Sequence, residues 1–403
     1  MTSSALKSAT SLPIRSFSAE LARGLGMVPA RFVQEMIVGI HRAQSLHLTD
    51  IARSLGEDVE LHATLKRLSR NLTKTGLTEF ISTALLERAA RDVTEDMILV
   101  ISCYDLRKRF ATRMEYARGG SDESPDDGYH VCDISAIDPA SPDYYMPLFS
   151  RLWSRHAPDY KSDETEILAA VNQVYSATEG RGVFDWPQVT MEPDFIWTLA
   201  QAPDLRAISY VADRDATVMV DGQPRTVSNL ASSGERPYSK LIFKMVDEPF
   251  ARRVTGTQDA RSAELSLSLN FGSLSVQLDT GKQATLILER TTWEHGWPGN
   301  AVVLATGVAT GTQNQLWELL QNHHLAQDTE FTVASHKSRF NQSDVRVLTY
   351  DRLQLLNILL QAVIHYEAHV ENTLTVEKHT YTSDPHPGDH YRDFTVPVDA
   401  ADL

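Results

Sequence analysis

The stretch "DMILVISCYDLRKRF", Asp96 to Phe110, decides the fold. Met97 to Ile101 form an unbroken apolar run with β-branched residues, the pattern of a strand buried on both faces. The run ends in Ser102, Cys103, Tyr104 and Asp105, then turns basic at Arg107, Lys108 and Arg109. Polar residues at the end of a buried strand are where α/β proteins place their chemistry. Only one carboxylate stands here, and it comes three residues after Ser102.

Upstream of this strand the texture is helical. "ARFVQEMIVGIHRAQ" (30–44), "HLTDIARSLG" (47–56) and "ELHATLKRLSRNL" (60–72) carry apolar residues at three- and four-residue spacing. The last two read as a helix-turn-helix, with Thr49 as N-cap and Gly56 ending the first helix. Lys66, Arg67 and Arg70 fall on one side of the second helix, with Lys74 just beyond.

Downstream, "GYHVCDISAI" reads as a second apolar strand, "DETEILAAVNQVYSAT" as a helix and "RAISYVA" as a further strand. Strand, strand, helix, strand is the order of a mixed-sheet α/β core. Residues 208–300 show strand alternation almost throughout and read as an antiparallel β region. "AVVLATGVA" returns to the core sheet, and two long helical patterns follow. The expected divisions are therefore 1–92 (helical), 93–207 (core, first part), 208–300 (β-rich insertion), 301–372 (core, second part) and 373–403 (tail).

Composition bounds the function. The 403 residues carry 42% hydrophobic and 23% charged side chains, the balance of a globular protein. Nowhere is there an 18-residue apolar run, so no membrane span is expected, and the Ser/Thr-rich start lacks an apolar signal core, which points to the cytoplasm. The two cysteines, Cys103 and Cys132, sit in apolar segments and are expected as buried, reduced thiols. Net charge is -15, yet residues 1–75 hold ten Lys and Arg against six Asp and Glu. That asymmetry makes the N-terminal segment the better candidate for meeting a polyanion.

Taken together, "ILVISCYDLRKRFATRMEY", "GYHVCDISAI" with "MPLFSRLWS", "GRGVFDWPQVTMEPDFIWTLAQ" and "DTEFTVASHKSRFNQSDVRVLTYDRLQLLNILL" resemble the bacterial cut-and-paste DDE transposases of insertion sequences. The resemblance spans about residues 20–370. It implies a ribonuclease H-like core behind a helical DNA-binding domain, with a β insertion before the last catalytic helix. In that family two aspartates and a glutamate hold divalent metal ions. Here the resemblance puts Ser102 and Pro187 at the aspartate positions and keeps Glu330. The signature helix of the family has Tyr, Arg, Glu and Lys at fixed offsets; this chain has His323, Ala326, Glu330 and Lys337.

Two-metal phosphoryl transfer needs several carboxylates around ions about 4 Å apart, and Mg²⁺ demands hard oxygen ligands. A serine and a proline in two acid positions imply a degenerate site, needing no cofactor. Asp105 and Asp185 are the substitutes through which an Mg²⁺-dependent nuclease could persist. Asp105 lies on the wrong side of a continued strand, and its simpler role is pairing with a nearby Arg or Lys; Asp185 reads as a turn residue. His323 and His324 diverge by about 100° on a helix and are expected to face solvent. Trp293 and Trp297, in the β region, are candidates for stacking on bases, and Lys337 for a DNA contact. The expected function is a catalytically inactive, transposase-derived protein that binds double-stranded DNA as a regulator or accessory subunit, alone, as a homodimer or with a partner protein. A protein-interaction scaffold without DNA contact is the alternative from a different class.

Overall fold

A computed structural model describes residues 12–107, 113–117, 128–187, 194–202, 204–247, 262–293 and 299–370, together with 372, 374 and 376. The chain groups into two units: Met1–Gly182 with Thr329–Val376, and Val183–Asp328 with Glu377–Leu403. The protein is α/β, and its sheet is mixed.

The first unit opens with five helices: α1 (Leu12–Leu21), α2 (Met27–Ala43), α3 (Leu48–Leu55), α4 (Leu61–Asn71) and α5 (Leu77–Ala90). Phe32, Val33, Met36, Ile37 and Ile40 form the buried stripe of α2. Gly39 lets α3 approach closely, since a Cβ there would meet Ile51 Cγ2 at 2.6 Å. Gly56 ends α3 in the left-handed conformation that favours glycine, as expected. Thr49, expected as the N-cap, lies inside α3 instead, and His47 takes that position. The reason is the neighbouring apolar pair: Leu46 and Ile51, both buried, have the N′ and N4 spacing of a hydrophobic staple.

Strands β1 (Ile98–Leu106), β2 (Tyr129–Ile137) and β3 (Tyr145–Trp153) follow, antiparallel in the order β3-β2-β1. Helix α6 (Asp163–Ala177) is capped by Ser162, whose hydroxyl accepts from the Thr165 amide at 3.1 Å. Three acids in its first turn suit the positive end of the helix dipole.

The second unit holds β4 (Val183–Trp186), α7 (Asp194–Gln201), β5 (Ala207–Tyr210), β6 (Thr217–Val220), β7 (Gln223–Thr226), α8 (Val227–Ser233), β8 (Tyr238–Asp247), β9 (Ser262–Gln277), β10 (Gln283–Trp293) and β11 (Gly299–Thr306). Its strand order is β4-β5-β11-β10-β9-β6-β7, with β8 also on β9. β4 and β5 are parallel, and the remaining pairs are antiparallel. Because β11 pairs with both β5 and β10, the strands of 208–300 continue the same sheet. Alternation gave no hint of α8, which Thr226 initiates by accepting from the Asn229 amide.

Helix α9 (Gln313–Ser338) passes from the second grouping into the first at Thr329. Its Leu316, Leu319 and Leu320 join Ile287 and Val303 in one apolar layer of the second unit. Helix α10 (Tyr350–His365) ends in a π-helical turn, Tyr366–Val370. Apolar residues surround α10, so it is buried along nearly its whole length. Its polar side chains cover the edge strand: Gln354 and Tyr350 donate to the Leu152 carbonyl, Gln361 to Phe149, and His365 Nδ1 to Pro147 at 2.8 Å. Among the described residues no helix is long and apolar enough to cross a membrane.

Candidate functional site

In the first unit the register places Ser102, Asp133 and Ser150 side by side across β1, β2 and β3. Directly opposed side chains share one face of a sheet, so these three make a polar row in an otherwise apolar layer. The row is closed by helices. Lys337, near the end of α9, puts its ammonium 2.7 Å from Asp133 Oδ1 and 3.4 Å from Ser150 Oγ. Asn357 of α10 donates to Ser150 Oγ at 2.8 Å and accepts from Gln342 at 2.9 Å. Lys337 is only 2% exposed and Asp133 0%. Burial pulls the Lys337 pKa down, and the Asp133 carboxylate opposes that pull.

Among the described residues Ser102 Oγ and Ser135 Oγ on this face have no hydrogen-bond partner. Burial raises the Tyr104 phenol well above its usual range, and the nearby Asp133 charge adds to this. On the opposite face Cys103 and Cys132 are cross-strand neighbours, buried and not joined by a disulfide, as expected. Burial raises the Cys103 thiol, its neighbour Cys132 adds to this, and the charge of Glu330 contributes less.

This donor set does not fit a divalent ion at β1. Ser102 is neutral and 3% exposed, and the one carboxylate beside it is already engaged by an ammonium. Among the described residues no group of three or more His, Cys, Asp and Glu side chains is arranged to hold a metal. Asp105 points away from Ser102, because β1 continues to Leu106 and the two positions alternate in face. Its partner is His130, at 2.8 Å, where an Arg or Lys was expected. Burial would raise the Asp105 pKa, but His130, then Arg107 and Arg155, hold it below the usual carboxylate range.

The second unit overturns the reading of the histidines. His323 is 1% exposed, and its Nδ1 lies 2.9 and 3.1 Å from the two oxygens of Asp185. Asp185 belongs to β4, not to a turn, and is fully buried. The next residue of α9, His324, reaches Glu289 of β10 at 3.3 Å. The divergence of adjacent helical side chains thus serves two strands, β4 and β10, which flank β5 and β11. Pro187 follows β4 directly.

The expected DNA contacts separate into four kinds. Lys66 and Arg70 stand exposed on α4, and Lys74 is half-buried just after it. Arg67 instead bridges Glu35 at 3.0 Å and Glu57 at 2.8 Å. Lys337 is sealed in the core. Trp293 ends β10, but its side chain and all of Trp297 lie outside the described residues. Sequence reasoning missed Asp133, although a lone acid inside "YHVCDISAI" is a signal: a buried carboxylate requires a partner.

Neither a protein-family model nor a curated protein matches the chain.

Proposed function

We propose that this is a DNA-binding protein derived from a cut-and-paste transposase of ribonuclease H-like fold, acting as a regulator or accessory subunit without strand-transfer chemistry. The observation that carries this reading is Ser102, a buried hydroxyl beside the closed Asp133–Lys337 pair where the resemblance calls for a metal-binding aspartate. A neutral hydroxyl and an ion-paired carboxylate offer no counterpart to the carboxylate clamp that two-metal catalysis requires. Support for DNA contact comes from Lys66 and Arg70, exposed on the second helix of a two-helix hairpin joined at Gly56.

One observation favours the scaffold reading as second choice. Met27, Val28 and Val59 are 89%, 58% and 54% exposed, in a protein of net charge -15. Exposed apolar side chains grouped in a patch mark protein-interaction surfaces, and Met27 and Val28 are neighbours in the chain. The chemical half of the proposal is tested with supercoiled plasmid and Mg²⁺ or Mn²⁺. The plasmid should stay supercoiled. Nicking that disappears in Glu330→Ala would overturn the proposal and reinstate an active nuclease using displaced acids such as Asp105 and Asp185.

A further inference from the structure

Three arginines of the second unit converge, and among the described residues no ion pair to an acid is seen for any of them. Arg290 lies on β10, paired in register with Asn300 of β11. The Asn300 carbonyl accepts from Arg214 Nη2 at 3.1 Å, which brings Arg214 to the same spot. Arg236 arrives by another route. The segment that carries it passes over the sheet at Gly272, where a Cβ would come within 2.2 Å of the Glu235 carbonyl and 3.1 Å of Arg236 Cα. Gly272 is the cross-strand partner of Leu288, and Leu288 Cδ1 would lie 2.1 Å from a Cβ on Gly234. Leu288 and Arg290 share a face of β10, two residues apart. All three guanidinium groups therefore gather over one end of that face.

Backbone carbonyls, not carboxylates, hold two of them. Arg236 donates through Nη1 to Gly234 and through Nη2 to Ala231, at 2.9 and 2.6 Å. Among the described residues Arg214 Nη1 and Arg236 Nε are buried donors without an acceptor. The acids nearest in sequence are turned elsewhere: Asp213 accepts from the amides of Asp215 and Ala216, and Glu235 is exposed. Burial lowers the Arg236 pKa, and the charges of Arg290 and Arg214 lower it further. Three like charges gathered together, two of them anchored by backbone carbonyls, favour the approach of an anion. Guanidinium forks match the oxygens of a tetrahedral phosphate, which offers more acceptors than a carboxylate.

We propose that Arg214, Arg236 and Arg290 form a binding site for a phosphate group, either the phosphodiester of a nucleic-acid backbone or a free phosphate ester. The site is tested first with inorganic phosphate alone, which makes no use of the DNA-binding proposal. The thermal midpoint of the full chain should rise with phosphate concentration at constant ionic strength set by chloride. Arg290→Gln, an exposed position, should hold or raise the midpoint without phosphate, because it removes a like charge, and bind phosphate about tenfold more weakly. Arg214→Gln should weaken it likewise. A midpoint that ignores phosphate, or that rises equally in wild type and both variants, overturns the proposal. Duplex DNA then separates the sources. If the phosphate is a backbone phosphodiester, Arg290→Gln lowers the salt slope of duplex binding by about one unit. If it is a free ester, phosphate binding is lost in the variant while duplex binding is unchanged. Loss of duplex binding in Lys66→Glu with an intact phosphate response would separate this site from α4.

Discussion

Lys337 shows how a single residue can close a site. An ammonium buried to 2% exposure is tolerable only beside a carboxylate, and Asp133 supplies one at 2.7 Å. Replacing both partners by apolar groups of similar size is often neutral, whereas removing one leaves a naked buried charge. Lys337→Ala should therefore cost about 3–5 kcal/mol of stability in urea unfolding. Lys337→Met combined with Asp133→Leu should recover most of that loss. If Lys337→Ala costs less than about 1 kcal/mol, water reaches Asp133 and the row is not closed.

At the scale of elements, α4 illustrates why like residues have unlike roles. Lys66 and Arg70 face solvent, while Arg67 ties α4 to Glu35 of α2 and to Glu57 of the α3–α4 turn. Reversing Lys66 or Arg70 to Glu should shift stability by no more than about 0.5 kcal/mol each. Arg67→Glu sets three acids together and should cost on the order of 1–2 kcal/mol, after discounting for solvent screening at a third-exposed side chain. Thermal melts of the three single variants decide this, and equal melts would remove Arg67 from the framework. Much at this scale was legible beforehand. The apolar run of β1 and the Gly56 stop of α3 are local signals, readable within a few residues. What escaped depends on distant partners. Nothing near His323 in the chain announces Asp185, 138 residues away, and nothing near Lys337 announces Asp133, 204 away. Amphipathic spacing cannot separate a solvent-facing polar residue from a buried one with a partner.

Across the whole molecule, the two units should answer pH in opposite senses. In the first, burial lowers His365 to about 3 and His336 to about 4, so both are held neutral in the fold. Their unfolded value is near 6.5, so the stability they contribute is present above that pH and lost as it falls. In the second, burial opposes the charge of His323, but Asp185 and then Glu289 override it and raise its pKa. That contribution is present below 6.5 and lost as pH climbs through the raised value. Asp185, raised by burial against the pull of His323, changes in the same direction from 3.8 upward. Glu289, which burial would raise but His324 and His323 lower, sets the acid limit, losing its contribution below 4.5. Hydrogen exchange, corrected for the intrinsic pH dependence of the amides, should show α10 losing protection on acidification to about pH 5 and residues 313–328 of α9 losing it on alkalinisation to about pH 8. Loss on the same side in both segments would contradict these assignments. The central claim, DNA binding without DNA chemistry, is tested most directly by titrating labelled duplex from the protein's own locus at several salt concentrations. Wild type should bind with affinity that falls as salt rises, and Lys66→Glu with Arg70→Glu should lower the slope by about two units across all sequences. No binding by the wild type, or identical slopes in the double variant, would contradict the account.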